Sequence, residues 1–136
     1  MKKTFVFSFA LFAIFAFAPT FNLQGQNQSL ADKVVGEFKG KLQNKNHKIK
    51  NHKIKITKVS DIKVKIQPVS GSSSQSFEVK LTEQVAGNIT MIKFKIPGDH
   101  IMNNGMFVKS NGKLSYSMHL GGEDPRNIEV FVGSKK

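Results

Sequence analysis

The side chains that could do chemistry in this chain are four histidines, nine carboxylates, one tyrosine and scattered serines; cysteine is absent. Metal binding needs three or four imidazole, thiolate or carboxylate ligands converging at short spacing. His47 and His52 sit among lysines, whose charge opposes a cation, Asp99-His100 reads as a turn, and His119 lies on the polar face of a strand pattern. No spacing joins them into a metal site. Serine catalysis calls for a strained nucleophile turn such as Gly-x-Ser-x-Gly, and none is present. Glu123 and Asp124 are adjacent carboxylates, but Gly121-Gly122-Glu123-Asp124-Pro125 is turn chemistry. The glycines are spaced as turn residues and not in the Gly-x-Gly-x-x-Gly order that cradles phosphate. Asn27-Gln28-Ser29 and Asn88-Ile89-Thr90 match a glycosylation triplet that short sequences often contain by chance. The expectation is a protein that is not an enzyme, with no catalytic residues, no metal and no cofactor.

Charge is the strongest compositional signal. Lysine and arginine number 21 against 9 acidic residues, a formal charge of +12, and Arg126 is the one arginine. Arginine is the side chain suited to bidentate contact with phosphate or a guanine edge, so nucleic acid is not the expected partner. Lysines on strands keep sheet edges soluble, and together they could hold an anionic surface.

The elements that carry these residues read as strands. Lys53-Ile54-Lys55-Ile56, Ile62-Lys63-Val64-Lys65-Ile66, Phe77-Glu78-Val79-Lys80-Leu81 and Ile92-Lys93-Phe94-Lys95-Ile96 alternate apolar with polar, as half-buried strands do. Leu114 to Leu120 alternates longest, and Ile128-Glu129-Val130-Phe131-Val132 closes the chain. Between them lie Gly71-Ser72-Ser73-Ser74, Gly87-Asn88, Pro97-Gly98-Asp99, Asn103-Asn104-Gly105 and Asn111-Gly112, the last read as a two-residue hairpin turn. Residues 35–42 and 101–109 add two weaker strands, making eight. A short helical turn is expected over residues 29–34, capped by Ser29 and Asp32. Eight short strands in chain order predict an all-β domain over residues 35–136: a single small antiparallel up-and-down barrel.

Asn46-His47-Lys48-Ile49-Lys50 is repeated at once as Asn51-His52-Lys53-Ile54-Lys55. Five is odd, so Ile49 and Ile54 would face opposite sides of one regular strand unless a bulge intervened. Ile54 is in phase with Ile56, which assigns the second copy to the strand and the first to a lengthened loop.

The N-terminus has its own pattern. Lys2 and Lys3 precede an uncharged run, Thr4 to Ala18, rich in Phe, Ala and Leu. A charged start with an apolar run of about fifteen residues is a secretory signal; a spanning helix needs about 20. Residues 1–26 are read as the signal peptide, cut somewhere between 18 and 28, and 27–34 as a linker or helical turn. No cysteine stands at the junction to take a lipid. The expected product is a secreted or periplasmic soluble monomer with no membrane span, held together by its core without disulfides.

Gly36-Glu37-Phe38-Lys39-Gly40 at the first strand, with Gly112-Lys113-Leu114 and Ile128-Glu129-Val130-Phe131-Val132-Gly133 near the end, resembles the small exported lipocalin-like (calycin-like) β-barrel domains of Bacteroidota. Gly36-Glu37-Phe38 stands where lipocalins carry Gly-x-Trp. The resemblance implies an exported eight-stranded barrel and supports no particular ligand.

The alternation assigns an interior set: Phe38, Leu42, Ile54, Ile56, Ile62, Val64, Ile66, Phe77, Val79, Leu81, Ile92, Phe94, Ile96, Leu114, Tyr116, Met118, Ile128, Val130 and Val132. Eight strands leave an interior that is either filled or holds one small ligand. A ligand there, necessarily apolar, would meet Phe38, Ile54, Phe77, Phe94, Tyr116 and Met118. The other face presents Lys53, Lys55, Lys63, Lys65, Lys93 and Lys95 to a polyanion. The functional expectation is a binding module for a small apolar molecule or for a protein partner at its loops. Adhesion to polyanions and inhibition of an exported enzyme through the residue 121–125 or 103–105 loop are the alternatives.

Overall fold

A computed structural model describes residues 28–69 and 75–136 of the chain; the expected signal peptide and the whole of the 71–74 turn lie outside the described residues. A short helix, α1 (Leu30–Val34), is followed by β1 (Gly36–Gln43), β2 (Lys48–Ser60), β3 (Lys63–Pro68), β4 (Phe77–Ala86), β5 (Ile89–Lys95), β6 (Asn104–Val108), β7 (Lys113–His119) and β8 (Ile128–Lys135). Each strand pairs antiparallel with the next, and β8 returns to β1, closing an eight-stranded up-and-down barrel. Closure removes the free edges that alternating strands would otherwise expose.

The expected helical turn forms. The Ser29 hydroxyl accepts from the Asp32 amide at 3.2 Å while the Asp32 carboxylate accepts from the Ser29 amide at 3.2 Å, a reciprocal capping box. Ala31 and Val34 are fully buried against the barrel, and the Ala31 amide donates to the Asp61 carbonyl at 3.0 Å. The helix therefore plugs the barrel end where β2 turns into β3.

The duplication resolves differently from the expectation. Lys48, Ile49 and Lys50 of the first copy enter β2 together with the whole second copy, while Asn46 and His47 stay in the connection from β1. The parity problem is solved by a bulge: Gly40 pairs with His52 but Leu42 pairs with Ile49, so Lys50 and Asn51 together oppose Lys41. The bulge sits at the seam of the repeat and returns Ile49 to the interior side, where it packs on the core.

Strand β8 runs in the opposite phase from that expected. Phe131 is fully buried, whereas Val130 and Val132 are 39% and 47% exposed and Ile128 is half-buried. Two valines and an isoleucine outvote one phenylalanine in a pattern, but a ring buries some 150–250 Å². Phe131 lies opposite Tyr116 of β7 and Leu42 of β1, and it stacks on Tyr116 with centroids 5.3 Å apart. Gly133 shares its face and admits the ring: a Cβ there would stand 2.5 Å from Phe131 Cζ. Ile62 is likewise not interior but exposed in the β2–β3 turn. Strand β6 is shorter than expected and contributes Phe107 to the core, a residue missing from the interior set. Asn111-Gly112 ends a four-residue loop between Val108 and Lys113, while two-residue connections occur at Asp61-Ile62 and Gly87-Asn88.

Candidate binding groove on the outer wall

The six residues expected to line a ligand cavity are brought together, but largely against one another. Phe38 and Ile54 are paired neighbours on β1 and β2, and Phe94 and Tyr116 flank Gly105 of β6. Phe38 meets Phe107 edge-on at 5.9 Å, joining β1 to β6 across the lumen. Phe77 meets Tyr116 at 5.7 Å, joining β4 to β7. Phe77 and Met118 are half-buried toward the ends. Ring contacts thus bridge the lumen at two places. Gly105 permits this packing, since a Cβ would lie 2.2 Å from Phe94 Cζ and 2.8 Å from Tyr116 Cβ.

Three titratable groups share that interior. His52, noted in the sequence as a histidine among lysines, is 1% exposed and faces Phe131 at 6.0 Å, with neither ring nitrogen hydrogen-bonded. Burial lowers its pKa, and the nearby Glu129 charge only partly offsets this. Glu129 is 4% exposed, carried inward by the phase of β8. Burial, and then the Glu129 charge, raise the pKa of the Tyr116 hydroxyl far above its ordinary value. His52 belongs to the second copy, and the alternation that puts Ile54 and Ile56 inside puts it on the same inner face.

The remaining candidate chemistry is engaged structurally. His100 and His119 stack with centroids 4.3 Å apart. The Gly121 amide donates to Nδ1 of His119 at 3.2 Å, so Nε2–H donates to the Asp124 carbonyl at 2.8 Å and no lone pair is left. Nδ1 of His100 accepts from the Met102 amide at 3.2 Å. Among the described residues, no three metal-ligating side chains come together. Asp124 is held down to about 2, first by the Arg126 amide, then by the Lys45 ammonium and the Arg126 side chain. His47 is exposed in the β1–β2 connection.

The outer wall is where unpartnered functional groups collect. Lys53, Lys55, Lys63, Lys65, Lys93 and Lys95 all point outward, alternating with buried neighbours on β2, β3 and β5. Lysine stands directly opposite lysine twice, Lys39 to Lys53 and Lys63 to Lys80. Lys63 bonds Glu78 at 3.2 Å; among the described residues Lys53, Lys55, Lys65, Lys80, Lys93 and Lys95 have no ion pair.

Beyond β5 the wall changes character. A cross-strand row runs Thr82, Lys93, Met106, Ser115, Val132, and a second runs Lys95, Asn104, Ser117, Val130. Long lysines stand on β4 and β5, Asn104 and Met106 on β6, the short Ser115 and Ser117 on β7, and valines on β8. The short middle leaves an open groove of about 930 Å³, lined by Lys80, Lys93, Lys95, Met106, Ser115 and Val130 among others. Met102 forms part of its rim, where the Ser117 hydroxyl donates to the Met102 carbonyl and the adjacent Asn103 Oδ1 accepts from the His119 amide at 2.8 Å. Sequence reasoning missed the groove because it placed Val130 and Val132 inside.

Compared with known proteins, the chain matches no family model, no curated protein and no solved structure.

Proposed function

We propose that this barrel is an exported, non-enzymatic binding module that holds anionic partners against its outer wall, a variant of the lipocalin-like plan that its ends resemble. The observation that carries the reading is lysine facing lysine across strands, Lys39 on Lys53 and Lys63 on Lys80. Like charges directly opposite destabilise a sheet, and a bound anion would relieve that repulsion. The Lys2–Ala18 signal pattern supports export, where anionic glycans and lipid headgroups are the available surfaces. The ring contacts that bridge the lumen favour the outer wall over the interior as the binding surface.

The test is retention on immobilised heparin across a sodium chloride gradient. Exposed charge pairs are screened over a Debye length of about 8 Å at physiological salt, so retention should fall steeply with salt. The combined Lys53→Gln, Lys55→Gln, Lys63→Gln and Lys65→Gln variant should elute earlier with unchanged circular dichroism. Retention that ignores both salt and these substitutions overturns the proposal.

A further inference from the structure

Deepening that reading, and resting on it, we infer that the groove on β4–β8 is a site for a single-chain anionic amphiphile, a medium-chain carboxylate being the simplest. The two sides of the groove differ in chemistry. Lys80, Lys93 and Lys95 supply three ammonium groups on one side, with no carboxylate paired to any of them among the described residues. Met106 and Val130 supply apolar surface on the other, with the small Ser115 and Ser117 of β7 on the floor between their strands.

From β5 to β8 the groove crosses three strand spacings, about 14 Å at 4.7–4.9 Å each, the reach of a medium acyl chain. A head group held at the lysines would therefore lay its tail over Met106 toward Val130. The groove's volume of about 930 Å³ leaves room for such a chain laid along the wall. The phase of β8 is what makes the far side apolar: Val130, 39% exposed, gains a partner only when something covers it. A plain polyanion would use the lysines and leave that side bare, and a neutral lipid would leave the ammonium groups unanswered. Both sides are satisfied together only by a molecule with an anionic end and an apolar tail.

The test is titration calorimetry of the purified protein with dodecanoate below its critical micelle concentration, beside butyrate and dodecanol. Saturable one-to-one binding of dodecanoate, at least tenfold tighter than either control, is expected. Ser115→Phe, an outward substitution that fills the floor, should abolish dodecanoate binding and leave heparin retention and circular dichroism unchanged. Lys93→Gln with Lys95→Gln should weaken dodecanoate at least tenfold. Dodecanoate binding that survives Ser115→Phe, or that butyrate matches, overturns the inference while the heparin result stands. Loss of salt-dependent heparin retention in the unsubstituted protein instead removes the broader reading beneath it.

Discussion

Replacing His52 by leucine should make this protein more stable, and the gain should grow in mild acid. The imidazole is buried beside Phe131 with no hydrogen bond to either nitrogen. A buried polar group left unsatisfied costs about 1–3 kcal/mol, and losing the edge contact with the Phe131 ring returns about 0.5–1.5 kcal/mol. The net expectation at neutral pH is a gain of roughly 1 kcal/mol, or several degrees in Tm for a domain of this length. The pH dependence follows from the direction of the shift. Burial holds the folded-state pKa of His52 below its ordinary 6.5, so the unfolded chain takes up the proton first. Stability therefore falls as pH drops below 6.5, by up to about 1.4 kcal/mol per pH unit while only the unfolded state is protonated. Urea denaturation of both proteins at pH 7.5 and pH 5.5 measures this. The stability difference should widen at the lower pH. A His52→Leu protein that is less stable, or that shows the same acid slope as its parent, refutes the account of His52 as a buried, neutral, unpartnered group.

Three further outcomes test the fold. Phe131→Ala should cost about 3–5 kcal/mol in chemical denaturation, while Val132→Thr should stay within about 0.5 kcal/mol, as exposed substitutions do; the reverse order would restore the register expected from the pattern. Gly105→Ala should destabilise by about 1–3 kcal/mol through overpacking, because the new methyl meets the Phe94 ring, and a neutral melt would argue against that packing. Deletion of Asn51 removes the bulge yet keeps Leu42 opposite Ile49 and Gly40 opposite the shifted His52. It should leave a cooperative transition, whereas deletion of Thr57 flips the faces along β2 and should abolish it.

Strands β2, β3, β4, β5 and β7 were legible because each carries buried apolar residues spaced two apart. Val64 and Ile66, Val79 and Leu81, and Ile92 and Phe94 all lie inside as their spacing indicates. The capping box of Ser29 and Asp32 was legible for a similar reason, being a contact between residues three apart. Strand β8 was not, because both of its phases contain apolar residues and only the partners on β1 and β7 choose between them. The groove was hidden with it, since its far side is the face of β8 that the pattern placed inside.

Local alternation and turn residues determined, from the sequence alone, that this chain forms consecutive antiparallel strands with lysines on one face. Those signals act over two to five residues and need no distant partner. Tertiary structure alone decided three things: the seam bulge that carries Ile49 inward, the choice of Phe131 over the valines, and the burial of Glu129 beside His52. The bulge depends on how β2 pairs with β1, and the phase of β8 depends on its closure onto β1 across about ninety residues of chain.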